Sequence, residues 1–224
     1  MILSRILMHS IQNAVLVIAF AVREPARNAA AQAKNPLSAA MLGRLGARYW
    51  LIVGLGAVLT LARFSEAFLV LRAANLGLAP TYVPLVMVAM SAVYALASYP
   101  AGLAADRGRQ RSLIAGGLAA LIAADLLLGG AHSIGAVFAG VALWGVHMGL
   151  TQGLLSALVA ATAPAEARGT AFGVFNLVTG VVLVVASLLA GWLWQVHGPA
   201  ATFYAGAAFT AVALAGLLAA APRR

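Results

Sequence analysis

The stretch PAGLAADRGRQRSLIAGG, residues 100–117, places four charged side chains within six positions, between two long apolar segments. The apolar segments on either side, residues 82–104 and 112–131, are each close to the length of about 20 residues that a helix needs to cross a bilayer. Basic residues concentrate in the short cytoplasmic loops of membrane proteins. The pattern therefore predicts two membrane helices joined by a cytoplasmic loop.

The whole chain has the composition of a membrane protein. Of its 224 residues, 63% are hydrophobic and 8% are charged, and the mean hydropathy is +0.99. In a soluble domain about a quarter of the residues are charged. The ten-residue alternation typical of membrane barrels is missing from the sequence. Five further apolar segments are long enough to be membrane helices: residues 6–22, 49–71, 134–157, 170–194 and 199–220. We therefore predict an all-α, polytopic transmembrane helix bundle.

The sequence lacks the patterns that enzymes and metal sites most readily show. Cysteine is absent, which excludes disulfides and thiol ligands. Neither a His-Glu-x-x-His zinc motif nor a Gly-x-Ser-Gly serine motif occurs. The formal charge of +9 comes from basic residues that lie between apolar segments, which argues against a nucleic-acid partner. We expect no enzyme activity, no catalytic residue, no metal and no cofactor.

The distribution of basic residues predicts the orientation of the chain. If residues 23–48 are cytoplasmic, alternation of the helices places eleven basic residues inside and two outside. The inner residues are Arg23, Arg27, Lys34, Arg44, Arg48, Arg107, Arg109, Arg111, Arg168, Arg223 and Arg224, and the outer ones are Arg5 and Arg72. We therefore expect a multi-pass protein in contact with lipid, with its C-terminus in the cytoplasm.

Residues 23–48 also divide the chain into parts. They are polar and rich in alanine, and they include Pro25 and Pro36. The other connections are short, as in antiparallel helical bundles. We predict a transmembrane helix within residues 1–22, a cytoplasmic linker and then a bundle of six helices over residues 49–224.

Three stretches resemble a known family. Residues 102–111, GLAADRGRQR, resemble the signature loop G-x-x-x-D-R-x-G-R-[RK] of the major facilitator superfamily, which joins the second and third helices of each six-helix half. Residues 163–173, APAEARGTAFG, are similar to the segment P-x-E-x-R-G-T-A-F-G that precedes the fifth helix of the second half. Residues 62–68, ARFSEAF, are similar to the first helix of that half in a group of bacterial members.

The resemblance implies the C-terminal half of a transporter. That half would consist of two inverted three-helix repeats, preceded by one extra helix similar to the sixth helix of a missing first half. It implies secondary active transport of a small solute by alternating access in a bacterial inner membrane, with protons as a candidate coupling ion. The truncated chain would need the missing N-terminal bundle or a second copy as partner. The alternative is an inactive fragment or a non-transporting membrane interaction protein.

The resemblance also assigns a conformational latch to the charged loop. The latch motif comprises Gly102, Asp106, Arg107, Gly108, Arg109 and Arg111, and a second cytoplasmic motif comprises Glu166, Arg168 and Gly169. The loop is one residue shorter than the family pattern, because Arg107 is followed directly by Gly108. From the residues alone, Gly102 would let two helices approach closely. Asp106 could cap the next helix or pair with an arginine. The alternative is that the charges only anchor the topology.

Charged residues inside membrane helices usually mark a solute or proton path. Arg63 and Glu66 lie three residues apart within the segment 49–71, so we predict that they share one helical face and can pair. We place them on a central cavity. The alternative is an ion pair that only fixes helix packing.

Polar residues on two later segments are further candidates for the solute or proton path. His147 and Thr151 share a stripe with Trp144 on the segment that lines the cavity in the family, and Gln152 adds an amide beside it. Asn176 and Thr179 form a weaker case on the next segment. Interhelical hydrogen bonding is the alternative for these residues. Asp125 lies on a segment that is peripheral in the family, so we expect it to face lipid or to extend to the outer interface. A proton-carrying role is its alternative.

Overall fold

The computed structural model describes residues 42–219, which form seven α-helices and two 3-10 turns. The helices are α1 (Ala47–Leu61), α2 (Ala67–Asn75), α3 (Pro84–Asp106), α4 (Gln110–Gly129), α5 (Ile134–Thr162), α6 (Arg168–His197) and α7 (Pro199–Ala219). The 3-10 turns are Pro80–Tyr82 and Ala165–Ala167. This part of the chain contains no strand, so the all-α prediction is confirmed.

Five helices, α3 to α7, are long and apolar enough to cross a membrane. Each corresponds to one of the apolar segments predicted from the sequence. The predicted helix over residues 6–22 and most of the linker lie outside the described residues. The predicted helix over residues 49–71 is wrong in one respect, because residues 62–66 interrupt it and divide it into α1 and α2.

Local sequence explains where several helices begin and end. Proline begins both α3 and α7, where its missing N–H would have had no helical partner. Helix α3 ends at the charged loop in a Schellman motif. The N–H of Gly108 donates to the carbonyl oxygen of Ala105 at 3.0 Å, and the N–H of Arg109 donates to that of Ala104 at 3.1 Å. Gly108 has a φ of +76°, which favours glycine. This geometry explains how a loop one residue short can still turn the chain.

Helix α5 lies at the centre of the bundle. It packs most extensively against α3 and α4, and α4 packs in turn against α7. Two glycines of α5 allow its close approach to α3: a Cβ atom at Gly145 would lie 2.7 Å from the carbonyl oxygen of Met90, and one at Gly149 would lie 2.6 Å from the Cβ of Ala97. Small residues at helix contacts are typical of membrane bundles.

Aromatic rings pack beside the interruption between α1 and α2. The ring of Phe64 contacts those of Phe68, Trp144 and Phe203, with centroid distances of 5.2, 5.4 and 5.4 Å. The outer faces of the helices carry large apolar side chains instead of polar ones: Leu96, Leu188 and Val212 are each about 70% exposed or more. Such faces suit contact with lipid.

Candidate functional site

The break between α1 and α2 is stabilised by hydroxyl groups. Oγ1 of Thr210 on α7 lies 3.2 Å from the carbonyl oxygen of Ala62 and 2.8 Å from that of Gly206 in its own helix, so its hydroxyl proton is shared between these two acceptors. Ser187 of α6 accepts a hydrogen bond from the N–H of Ser65, also at 3.2 Å. The Ser65 hydroxyl in turn accepts one from the N–H of Ala67, where α2 begins. Irregular backbone is tolerated within a membrane protein where neighbouring groups replace the lost helical hydrogen bonds.

Arg63 lies in this break, so the prediction that Arg63 and Glu66 share one helical face is wrong. The two side chains still approach each other, with 3.9 Å between Nη1 and Oε1. Their side chains are 16% and 37% exposed, respectively. An ion pair of this length that is partly exposed contributes little to stability.

The other partners of the Arg63 guanidinium are neutral groups on α5. Its Nη1 donates to the sulfur of Met148. The amide of Gln152 forms hydrogen bonds with Arg63 when its oxygen, rather than its nitrogen, faces the guanidinium. In that orientation Oε1 of Gln152 accepts from Nη1 of Arg63 at 2.8 Å and from Nη2 at 3.2 Å. The guanidinium is thus hydrogen-bonded, but its charge is not matched by a carboxylate at hydrogen-bonding distance.

A cavity of about 210 Å³ opens beside the guanidinium, between α1, α5 and α6. Its polar lining includes Thr60, Arg63, Gln152, Ser156, Asn176 and Thr179. Ser156 and Asn176 are exposed, so the cavity is open along this edge. Phe175, Leu155 and Leu183 form an apolar wall. The arrangement can hold a small solute that has both a polar and an apolar part.

His147 and Thr151 also line the cavity, but each uses a polar atom in a hydrogen bond to backbone. Nδ1 of His147 donates to the carbonyl oxygen of Gly117 on α4 at 2.8 Å. Oγ1 of Thr151 donates to the carbonyl oxygen of His147, within α5, at 2.8 Å. The two residues are 2% and 4% exposed. The contact of His147 matches the interhelical alternative, that of Thr151 does not, and a direct role of either residue in the solute path stays a prediction.

The structure therefore brings Arg63, Gln152 and Asn176 together at one cavity, while Glu66 lies outside its lining. Two of the polar lining residues, Thr60 and Ser156, were not predicted. Helical spacing could have indicated Ser156, because it follows Gln152 by four residues within α5 and so lies on the same side of that helix. Thr60 lies in the last turn of α1, and the break that follows removes any helical spacing between it and Arg63.

Asp125 is buried inside the bundle, so the expectation that it faces lipid or extends to the outer interface is wrong. Its exposed fraction is 0%, and neither carboxylate oxygen has a hydrogen-bond partner among the described residues. It faces α7 at Gly206, where a Cβ atom would lie 2.7 Å from Oδ2 and 2.9 Å from the ring of Phe64. The indole N–H of Trp144 is likewise buried without a partner among the described residues.

Arg72 has a structural role that the sequence did not reveal. Its side chain is buried and donates from Nε to the carbonyl oxygen of Leu128 at 2.9 Å. Its Nη2 donates to the carbonyl oxygen of Ala131 at 2.8 Å and to that of Gly129 at 3.3 Å. Its Nη1 donates to Oδ1 of Asn75 at 3.0 Å. Arg72 thus satisfies the carbonyl groups at the C-terminus of α4, where a positive charge also favours the helix dipole.

The residues of the charged loop differ in their surroundings. Arg111 donates from Nη2 to the carbonyl oxygen of Leu217, near the end of α7. Asp106, Arg107 and Arg109 are exposed, and none of them forms an ion pair within residues 42–219.

Gly102 does not bring two helices of residues 42–219 together, because a Cβ atom there would meet no described atom within 4 Å. Its role in close helix approach stays a prediction for a contact with a second bundle.

The second cytoplasmic motif lies at the short connection between α5 and α6. Glu166, Arg168 and Gly169 are all exposed there. The buried residues of this connection are Ala163 and Ala167. In the first turn of α6, the carbonyl oxygen of Ala171 accepts a hydrogen bond from the hydroxyl of Tyr49 at 2.9 Å. The motif residues therefore point away from the helix contacts and are available at the surface of this bundle.

Comparison with protein families decides the class of this bundle. The family model described as Major Facilitator Superfamily matches residues 62–224, which is well over half of the chain. The chain belongs to the Major Facilitator Superfamily. The resemblance of the chain to that family is thereby confirmed.

Two similar proteins indicate how much of a full-length relative this chain represents. An uncharacterized MFS-type transporter of Methanocaldococcus jannaschii is 29% identical over 164 residues, which cover 70% of this chain and 40% of that protein. An uncharacterized protein of Mycobacterium tuberculosis is 28% identical over 153 residues, which cover 68% of this chain and 37% of that protein. The chain thus spans about two fifths of the length of these relatives.

Membership in the Major Facilitator Superfamily establishes the general class of function. The family is one of transporters, and five helices of this chain are long and apolar enough to cross a membrane. The protein is therefore a multi-pass integral membrane protein of a transporter family, in contact with lipid.

Proposed function

We propose that this chain supplies the C-terminal bundle of a secondary active transporter, and that the cavity beside Arg63 is its share of a central solute path. Discontinuous helices form the binding sites of many transporters, because unwound backbone is acceptable where it lines a cavity. The observation that carries the proposal is the break between α1 and α2, which directs the Arg63 guanidinium to a polar cavity.

The proposed roles follow from the contacts of each residue. Arg63, Gln152 and Asn176 contact the solute, because they line the cavity with polar groups. His147 and Thr151 support the wall by holding α5 in place. Glu66 lies 3.9 Å from Arg63 and is partly exposed, so it is the residue we propose for coupling to protons.

Transport by alternating access requires a second bundle that moves against this one. We propose that the partner is an N-terminal bundle of the same family, or else a second copy of the chain. The open edge of the cavity at Ser156 and Asn176 supports this, since a partner there would close the path. The relatives, in which the matched region is about two fifths of the protein, have length for a second bundle.

The charged loop would act at the cytoplasmic ends of the two bundles. We place the protein in a bacterial inner membrane with its C-terminus in the cytoplasm, on the basis of its basic loops. Asp106, Arg107 and Arg109 are exposed and can pair with charges of the partner, while Arg111 holds the start of α4 to the end of α7. The exposed Glu166 and Arg168 lie in the other loop at the same end of the bundle.

Cysteine accessibility tests the central path directly, because the 224 residues of this sequence contain no cysteine. We expect Asn176→Cys to react with a membrane-impermeant thiol reagent in bacterial membranes, since the cavity admits water. Leu177→Cys is the matched control on the same helix at the same depth, because Leu177 is exposed but does not line the cavity. Equal reactivity of the two variants, or no reaction of Asn176→Cys, would contradict the proposed path.

Uptake measurements test transport and coupling. The chain is co-expressed with a six-helix N-terminal bundle, and solute uptake is compared with that of each bundle alone. We expect uptake only from the pair, and we expect Glu66→Gln to lose its dependence on a proton gradient. Uptake that depends on the gradient to the same extent in Glu66→Gln would remove Glu66 from the coupling step.

A further inference from the structure

The charge balance of the cavity beside Arg63 indicates which kind of solute it accepts. Among the described residues that line it, Arg63 is the one with a formal charge, and no Asp or Glu occurs. Glu66 lies outside the lining and reaches one guanidinium nitrogen at 3.9 Å. Charge-assisted hydrogen bonds between nitrogen and oxygen are about 2.7–2.9 Å long. The cavity is therefore electropositive.

The hydrogen bonds of Arg63 also leave it short of acceptors. A guanidinium carries five N–H donors in a planar fork that matches two oxygens of a carboxylate. Here both Nη atoms share the single oxygen of the Gln152 amide, and the further acceptor is the sulfur of Met148, a weak one. A second oxygen beside the fork is missing within the described residues.

The remaining lining indicates the size and charge of the solute. Ser156 and Asn176 offer further donors for its polar end, and Phe175 and Leu183 offer an apolar surface for a carbon body. A single guanidinium balances one negative charge, whereas a dianion such as phosphate would leave one charge uncompensated in a buried site. The lining therefore suits an organic monoanion better than an inorganic ion.

From these observations we infer that the cavity binds a small organic monocarboxylate, whose two oxygens take both Nη atoms of Arg63 and displace the distant contact with Glu66. This inference rests on the proposed function, because it names the class of solute for the same path. It predicts that neutral and cationic molecules of equal shape are rejected, since they cannot supply the missing acceptor.

Two matched series of probes test the class of solute on the purified chain in lipid nanodiscs. The first is propionate, propionamide and propylamine, and the second is benzoate, benzamide and benzylamine. Binding is measured by saturation-transfer NMR, which detects weak ligands. We expect a carboxylate to bind at least about tenfold more tightly than its amide and its amine in one series or both, because the charge-assisted pair is lost in the other two.

Three variants separate binding at Arg63 from general effects on the fold. Arg63→Gln should weaken carboxylate binding by about tenfold or more, since it removes the fork. Gln152→Glu keeps Arg63 but places a carboxylate of the protein beside it, so it should abolish carboxylate binding. This variant tests the inference independently if Arg63→Gln fails to fold. Arg48→Gln removes an equal charge from an exposed site outside the cavity and should bind as the unchanged protein does.

The inference is overturned if the amines bind best, if acid and amide bind equally, or if none of the six probes binds. It is also overturned if Gln152→Glu retains full carboxylate binding. Any of these results leaves the proposed function standing as long as Asn176→Cys reacts from water and Leu177→Cys does not. Failure of that accessibility test instead contradicts the path itself.

Discussion

Arg63 and Arg72 belong to the same apolar segment of the sequence, yet the structure places them in opposite surroundings. Arg72 lies in α2 and is bound by the carbonyl groups that end α4 and by the amide of Asn75. Arg63 lies in the break before α2, where an amide, a thioether and one distant carboxylate surround it. The guanidinium of Arg72 has acceptors for all three of its nitrogens, whereas that of Arg63 faces a cavity.

The difference teaches how to separate a structural charge from a binding charge inside a membrane protein. Burying a charge is costly unless its donors and acceptors are matched. Arg72 meets that condition with groups of the protein itself, so its removal would leave buried carbonyl groups without donors. Arg63 meets it only in part, which leaves room for a ligand. The number of unmet donors distinguishes the two cases better than burial does.

Loss of Arg72 should have the largest effect on stability. In Arg72→Met the side chain keeps much of its length but no longer donates to Leu128, Gly129 and Ala131. We expect a loss of about 3 kcal/mol or more, because several buried acceptors lose charged donors at once. Thermal unfolding in detergent measures it. Arg109→Met is the control at an exposed site, and a melting temperature of Arg72→Met equal to that of the control would refute the structural role.

Asp125 offers the reverse test, because its buried carboxyl group has no partner among the described residues. In Asp125→Ala an unsatisfied polar group, which costs about 1–3 kcal/mol, is replaced by a small cavity of lower cost. We expect the free energy of unfolding to rise by about 1 kcal/mol. Asp106→Ala, at an exposed carboxylate, should change stability little. A lower melting temperature of Asp125→Ala would show that the carboxyl group is bonded after all.

The sequence predicts α3 to α7 well because a long apolar run has few possible structures in lipid, of which the helix is one. It does not predict the break. Residues 62–66 contain neither proline nor glycine, and the hydroxyl groups that stabilise the break lie on Ser187 and Thr210, which are distant along the chain. A break whose hydrogen bonds come from other helices is visible only after those helices have packed.

The candidate site, like the fold, was predicted from the sequence only in part. Arg63, Gln152 and Asn176 stand out as polar residues in apolar helices, and the structure brings them to one cavity. The burial of Asp125 depends on which side of α4 meets α7, and the role of Arg72 depends on where α4 ends. Neither fact follows from the hydrophobic pattern of a helix that is apolar on all sides.

The break itself should be sensitive to its hydroxyl partners. Thr210→Val keeps the shape of the side chain and removes the donor to the carbonyl oxygen of Ala62. We expect a loss of about 1 kcal/mol, because that carbonyl is left without a donor. In the control Thr179→Val the lost hydroxyl bonds only carbonyl groups of its own helix. If the two variants lose equal stability, the break does not depend on Thr210.

Loss of Arg63 should have the smallest effect on stability, although Arg63 is the residue on which the proposed solute binding depends. In Arg63→Met, Gln152 loses a partner, but its amide still lines the cavity and can bond to water there. Glu66 loses only a partly exposed contact of 3.9 Å. We therefore expect a change of less than about 1 kcal/mol, measured by the same unfolding experiment as for Arg72→Met. A loss as large as that of Arg72→Met would mean that Arg63 is held by the fold as firmly as Arg72. The unmet donors of Arg63 would then no longer argue for a ligand.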